Sequence, residues 1–364
     1  VLFIIAPPSI SKAEAETMYF PYLHGKQKEV LALRHLAPVL GVEGCLQPVL
    51  EPVRQATTSV RHTLEACETH RLQVWLVVNP VRQDFELLPP AQSLEWGRQL
   101  FTSLPRRQWV HPTLMLGPSL TPAVIRRFVQ LFGSRPLGIV VGQDAPPLHE
   151  VMALLGGAQV RMVFFKDIEP TPAARAAAGA AGCVWVEDRR LPENPELRVS
   201  ERHLFTDRAL TFRSDGLAGF SDYTTLPSRP EAPELPSRLA AFRLSCLRTA
   251  PASGEFWIEH FMGGRFGPDE GGADARFRQA LLAFQAALDR TDVCFGPTEA
   301  VRRYLAGLID GILPTRALSK QWEVMHHLEL VSGVLAGRFP PKPPVGAPDS
   351  LLTKPPRSGE LEFR

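Results

Sequence analysis

Short apolar runs alternate with amphipathic stretches along this chain, eight times between Tyr19 and Thr225. The runs at 19–23, 46–53, 73–79, 112–117, 137–142, 161–166, 183–187 and 219–225 are predicted strands. Several are almost wholly apolar, as in Val74-Trp-Leu-Val-Val78 and Met162-Val-Phe-Phe165. A strand covered on both faces needs apolar side chains in both directions, as a parallel sheet demands. Between the runs the period becomes that of a helix. In 26–40, Val30, Leu33, Leu36 and Leu40 fall on one face. Stretches 56–70, 94–104, 122–132, 148–155 and 172–181 follow in kind. Thr121-Pro122 and Thr171-Pro172 each set a hydroxyl acceptor before a proline at the first helical position, a signature of helix starts. Strand–helix units in this number predict an α/β fold, a (β/α)8 TIM-like barrel.

The rhythm breaks after Glu187. Residues 188–217 are polar and weakly periodic, and predict an irregular seventh unit with a long loop or lid. Residues 227–236 are proline-rich and read as a surface excursion. Stretches 242–248 and 255–261 predict an inserted β-hairpin turning at Ser253-Gly254. Stretches 277–288, 299–309 and 321–336 predict C-terminal helices. Met18 stands just before the first strand, so 1–17 are expected to be an upstream extension. The proline-rich, charged stretch 337–364 is expected to be a disordered tail. This leaves 18–336 as one barrel-like domain.

Composition changes this picture little. With 364 residues, 45% of them hydrophobic, the chain can bury one large core. A net charge of +2 indicates no basic nucleic-acid surface. The five cysteines are scattered without a CxxC pair, so neither a disulfide framework nor a zinc ribbon is indicated. That usage suits a reducing cytoplasm, and Cys183 reads as a buried thiol. No apolar run reaches the roughly 18 residues of a membrane helix. Walker-type, GxGxxG, HExxH and GxSxG patterns are missing from the sequence, which argues against the usual P-loop, dinucleotide, zinc-protease and serine-hydrolase chemistries.

In a parallel barrel the strand C-termini share one rim. That rim would gather His24, Lys26, Glu51, Asn79, Lys166, Asp167, Glu187, Asp188, Asp222 and Tyr223. Glu51, Lys166, Asp188 and Asp222 are the candidate catalytic residues. Lys26, Asn79, Tyr223 and Arg189 are candidates for substrate binding. Three acidic positions, an amide and a lysine form a set suited to metal-assisted or acid–base work, with carboxylates holding Mg²⁺ and the lysine neutralising a phosphate oxygen. Structural salt bridges would account for the same residues. For Glu51, ligand contact and an ion pair weigh equally. Simple turn chemistry is the plainer account of Asn79. For Lys166 a Schiff base is chemically open, but a salt bridge to Glu187 or Asp188 is the favoured expectation. Asp222 faces in or out depending on a single step of register. His326-His327 on a helix point about 100° apart and read as packing, not as a metal pair. His260 could act as a general base, but nothing nearby specifies it.

Several segments carry a family resemblance. They are the opening Met18-Tyr-Phe-Pro-Tyr-Leu-His-Gly-Lys26 and its continuation to Arg34, then Gln47-Pro-Val-Leu-Glu-Pro-Val53, Val78-Asn-Pro80 and Phe165-Lys-Asp167. Gly219-Phe-Ser-Asp-Tyr223 and Met325-His-His-Leu-Glu-Leu330 complete the set. Together they resemble uncharacterised bacterial beta-family proteins, allied to the phage beta-protein family. The resemblance implies a barrel-like protein encoded near mobile elements and phage-defence loci, and implies no reaction. The proline-rich 227–236 departs from the family's glycine turn and apolar strand at that place. The expectation is a cytoplasmic protein of a phage-defence or mobile-element system, a metal-assisted hydrolase of a phosphate ester or nucleotide, with the cofactor unknown and Mg²⁺ a candidate. The alternative is a non-catalytic barrel scaffold that binds a partner effector protein encoded nearby.

Overall fold

The computed structural model describes residues 18–188, 202–225, 241–249, 254–263 and 272–339. The barrel half runs β1 (Tyr22–Leu23), α1 (Gln27–Glu43), β2 (Val49–Leu50), α2 (Thr58–Thr69), β3 (Val74–Val77), α3 (Pro90–Ser103), β4 (Val110–Leu116) and α4 (Pro122–Phe132). It continues through β5 (Leu137–Val141), α5 (Leu148–Leu155), β6 (Val160–Lys166), α6 (Pro172–Ala178) and β7 (Gly182–Val186). Then come β8 (Arg202–Thr206), α7 (Arg208–Thr211), β9 (Gly219–Ser221), β10 (Ala241–Arg248) and β11 (Phe256–Met262). The chain ends with α8 (Ala273–Ala287), β12 (Val293–Cys294), α9 (Glu299–Asp310) and α10 (Arg316–Leu335).

Eight strands pair in the order β1-β2-β3-β4-β5-β6-β7-β9, every pair parallel. The first and last strands meet as well. Phe20 N donates to Phe220 O at 2.9 Å and Tyr22 N to Asp222 O at 2.8 Å, which closes the ring. The predicted (β/α)8 barrel is therefore the observed fold. Its alternation splits the apolar side chains into two layers. Phe20, Tyr22, Val49, Trp75, Val77, Met115, Val140, Phe164, Val184, Val186 and Tyr223 fill the interior. Their neighbours, such as Leu50, Leu76, Ile139 and Val163, face the surrounding helices.

All eight predicted strands and the six helices of the first units exist, although the strands at 19–23 and 46–53 shrink to two-residue ladders. Of the two Thr-Pro starts, Thr171 caps with its hydroxyl, accepting from Ala174 N at 3.1 Å. Thr121 precedes α4 without such a bond.

The larger surprise lies after β7. The stretch expected to be a loop contributes β8 and α7. β8 joins a second, antiparallel sheet ordered β12-β10-β11-β8. The predicted hairpin is β10–β11, with Phe242 opposite Phe261 and Ser245 opposite Ile258. α10 packs on both α1 and β10, so it fills the eighth barrel-helix position and supports the second sheet. That double cover explains why residues 322–333 of α10 are buried on every side. The five cysteines are free, and Cys183 is buried as predicted. Among the described residues no helix is long and apolar enough to cross a membrane. Residues 1–17, 189–201, 226–240, 250–253, 264–271 and 340–364 lie outside the description, and with them the extension, the proline-rich excursion, Arg189, Ser253 of the expected hairpin turn and most of the expected tail. Phe339, at the start of that expected tail, is buried.

Candidate active site at the barrel mouth

The C-terminal ends of the strands hold a buried polar cluster above the aromatic interior. Glu51 follows β2 directly and Lys166 is the last residue of β6. Parallel strands end on one side, and both residues continue the inward alternation of Val49 and Phe164. Lys166 Nζ lies 2.5 Å from Glu51 Oε2, with 5% and 0% of the two side chains exposed. Tyr22 O–H donates to the same Oε2 at 2.6 Å. Arg82 Nε approaches it to 3.8 Å. Lys166 Nζ also sits 4.5 Å from the centroid of the Tyr22 ring. The expected partner of Lys166 was Glu187 or Asp188. Glu187 instead faces the barrel's outside and accepts from Arg208 Nε at 3.0 Å.

Burial and charge act in opposite directions here. Desolvation alone would raise the Glu51 carboxyl, but the nearby Lys166, His24 and Arg82 hold it down to about 2. Burial lowers the Lys166 ammonium against the pull of Glu51. Burial also brings the His24 imidazole down to about 3, so it is neutral at physiological pH. His24 stacks on Tyr223, with ring centroids 5.5 Å apart and an interplanar angle of 11°. Tyr223 O–H donates to Asp167 at 2.9 Å. Two buried atoms of this cluster have no hydrogen-bond partner, Glu51 Oε1 and His24 Nε2. Such atoms are costly unless something polar reaches them. Asp167 and Thr224 hold left-handed backbone, at φ 58° and 57°. For the β-branched Thr224 this is a strained conformation of a kind that gathers at functional sites.

The turn that carries His24 is built with care. Gly25 has φ 61°, and a Cβ there would meet Pro52 Cα at 3.0 Å, so glycine lets this turn lie on the Glu51-Pro52 segment. Glu29, in the first turn of α1, accepts from Lys26 N at 2.8 Å and His24 N at 3.3 Å. Sequence inspection overlooked this residue. Its signal was a glutamate three positions after the residue preceding the helix, where it can reach back to free amides. Burial raises the Glu29 carboxyl to about 7, against the two backbone donors and Lys26. A raised folded-state value means stability is full below about 4.5 and is lost as pH rises through 7. We expect the Glu29→Gln chain to lose less stability than the parent between pH 5 and pH 8 in urea denaturation. The difference between the two chains cancels the opposing slope of the buried histidines. Parallel curves over that range would show that Glu29 is ionised throughout.

The other candidates separate. Lys26 is half-buried at the start of α1, and Asp188 is half-buried two residues beyond β7. Asn79 spends its side chain on β4, with Nδ2 donating to Met115 O at 2.8 Å and Oδ1 accepting from Met115 N at 2.7 Å. It is a strut between strand ends, its amide nitrogen and oxygen both engaged by the Met115 backbone. Asp222 does not join the mouth. Because Ser221 and Tyr223 point inward, Asp222 points outward, beneath α10. Its Oδ1 accepts from Tyr19 O–H at 2.6 Å and from Thr224 N at 2.8 Å.

His327 completes that outer network, with Nε2 at 2.9 Å from the Tyr19 oxygen and 3.3 Å from Asp222 Oδ1. Tyr19 gives its only proton to Asp222, so His327 Nε2 donates to the Tyr19 oxygen, and Nδ1 lies 2.5 Å from Ser245 Oγ. His326 bonds Ser245 O and Thr298 Oγ1, at 2.6 and 2.8 Å. The histidine pair thus pins the barrel to the second sheet, as the packing interpretation expected. His260 lies on β11 of the second sheet, its ring 5.4 Å from that of His203. Among the described residues no group of three or more His, Cys, Asp or Glu side chains could hold a metal ion. The residues present therefore do not fit the expected Mg²⁺ set, because its carboxylates point to opposite sides of the barrel wall.

Neither protein-family models nor curated proteins match this sequence. Solved structures do, at low similarity. One is a point mutant of the Thermobaculum terrenum O-GlcNAc hydrolase, 7% identical with a TM-score of 0.36, covering 57% of this chain and 54% of that one. Another is the Ruminococcus gnavus sialic acid aldolase, 10% identical with a TM-score of 0.31, covering 47% and 68%. The chain thus spans about half the length of the hydrolase it matches. The class defined by this chain's own strand pairing is the parallel (β/α)8 barrel, here with a second antiparallel sheet.

Proposed function

We propose that the protein is an enzyme working at the C-terminal mouth of its barrel on a small anionic substrate, a phosphate ester or nucleotide. The buried Lys166–Glu51–Tyr22 cluster carries this reading. Burying two opposite charges costs several kcal/mol each, and well-packed apolar residues would often be as stable. Fold stability alone therefore gives no reason to place them at the end where barrels do their chemistry. Lys166 and Arg82 supply positive charge, Tyr22 a proton donor, Glu51 Oε1 an open acceptor, and neutral His24 a ring nitrogen that donates or accepts according to its tautomer. The setting, phage defence or a mobile element, comes from the sequence resemblance.

The test is a turnover screen of the purified chain against phosphate monoesters, phosphate diesters and nucleotides, with and without Mg²⁺. We expect Glu51→Gln to lower turnover about 100-fold or more, within the range of a lost acid–base group. Undiminished turnover in that variant would remove the mouth from consideration. A second reading, the scaffold for a partner protein, is favoured by Ile309 and Ile312, which are 82% and 74% exposed around the end of α9. No turnover of any substrate would turn attention to that surface.

A further inference from the structure

We propose that Lys166 is a nucleophile that captures the carbonyl carbon of an anionic keto or aldehyde substrate as an iminium. This rests on the reading of the mouth as an active site and goes beyond it in the substrate class it names. The geometry provides the parts such a step requires. The amine ends a strand, so its backbone is held by the sheet. It meets a carboxylate oxygen at 2.5 Å, and that oxygen is also bonded by a tyrosine hydroxyl. The pair lies just beneath the surface, since Asp167 is exposed and Arg82 partly so. Arg82, with Nε 3.8 Å from the same carboxylate oxygen, adds positive charge beside the pair.

The protons balance within the cluster. Lys166 passes one ammonium proton to Glu51 Oε2. The free electron pair on Nζ attacks the carbonyl carbon, a C–N bond forms, and the C=O π pair moves to oxygen. One proton then shifts from nitrogen to that oxygen, giving a carbinolamine. Glu51 returns its proton to the hydroxyl, the C–O bond breaks, and water leaves. The products are an iminium, one water and the Glu51 carboxylate with which the step began. Burial of the amine disfavours its ammonium form and so offsets part of the low Glu51 value that works against the first transfer. Glu51 Oε1, without a partner, accepts from a substrate hydroxyl, and the unpartnered His24 Nε2 donates or accepts beside it according to its tautomer.

The experiment is reductive trapping on the full chain. Pyruvate, glyoxylate and dihydroxyacetone phosphate are each incubated with the protein and sodium cyanoborohydride, and the modified lysine is located by peptide mass mapping. The expected result is a single dominant adduct on Lys166 with at least one of the three. Trapping should slow about 100-fold in Glu51→Gln, the range of a lost proton-transfer group. The Lys166→Met/Glu51→Gln chain, which leaves no charge buried alone, should show no dominant adduct. Adducts spread over Lys26, Lys28 and Lys320, with Lys166 unmodified, would overturn the proposal. If trapping fails while Glu51→Gln still abolishes phosphate-ester turnover, the inference falls and the mouth reading stands. If both fail, both fall.

Discussion

A Lys166→Met chain is expected to lose about 3–5 kcal/mol of stability, measured by urea denaturation at neutral pH. Methionine fills a similar volume, so packing changes little. What changes is Glu51, left fully buried with its countercharge removed. Water cannot solvate it, and Tyr22 and the more distant Arg82 do not replace a contact at 2.5 Å. The loss should depend on pH. In the parent, the lowered Glu51 value adds stability above about 4.5 that disappears as pH falls toward 2. Without Lys166, burial is opposed less and the carboxyl moves up, so the variant should weaken as pH rises from 5 to 8. Adding Glu51→Gln should restore most of the lost stability, because the amide carries no charge to strand. A single-variant cost below about 1 kcal/mol is what an exposed pair would give, and it would contradict the buried geometry.

Asp222→Ala should be nearly as damaging, about 3 kcal/mol, for a different reason. Its Oδ1 receives the Tyr19 hydroxyl and the Thr224 amide, and Tyr19 in turn receives His327. Removing the acceptor strands donors in a place water does not reach. Asp222→Asn keeps one oxygen and should cost less. The functional readout separates this residue from the mouth. Turnover per folded molecule should survive Asp222→Asn and fall in Glu51→Gln. Loss of turnover in folded Asp222→Asn would place Asp222 in the chemistry after all, and would reopen the assignment made from its outward orientation.

Particular residues show how far the sequence could be read. Glu51 and Lys166 were legible because each is a charge closing an apolar run, and parallel strands carry such charges to one rim. Their pairing was not legible. It depends on a closed ring that puts β2 and β6 across the same interior, 115 positions apart in the chain. Asp222 illustrates the opposite limit. In Phe-Ser-Asp-Tyr, composition cannot say which of two alternating faces looks inward, and one step exchanges Asp222 for Tyr223. β8 was missed because Arg202-His-Leu-Phe-Thr206 lacks an apolar run, and its partner β11 lies far along the chain. Glu29 looked like an ordinary charged helix residue until the turn at Gly25 folded over it.

Local pattern determined the repeating strand–helix units, their parallel sense and the end at which chemistry would gather, because periodicity and capping act within a few residues. Ring closure, the facing of each rim residue, the lysine–glutamate contact and the covering of the last strand by α10 were decided only by the tertiary structure. Each joins residues tens to hundreds of positions apart, and burial there sets which charges meet.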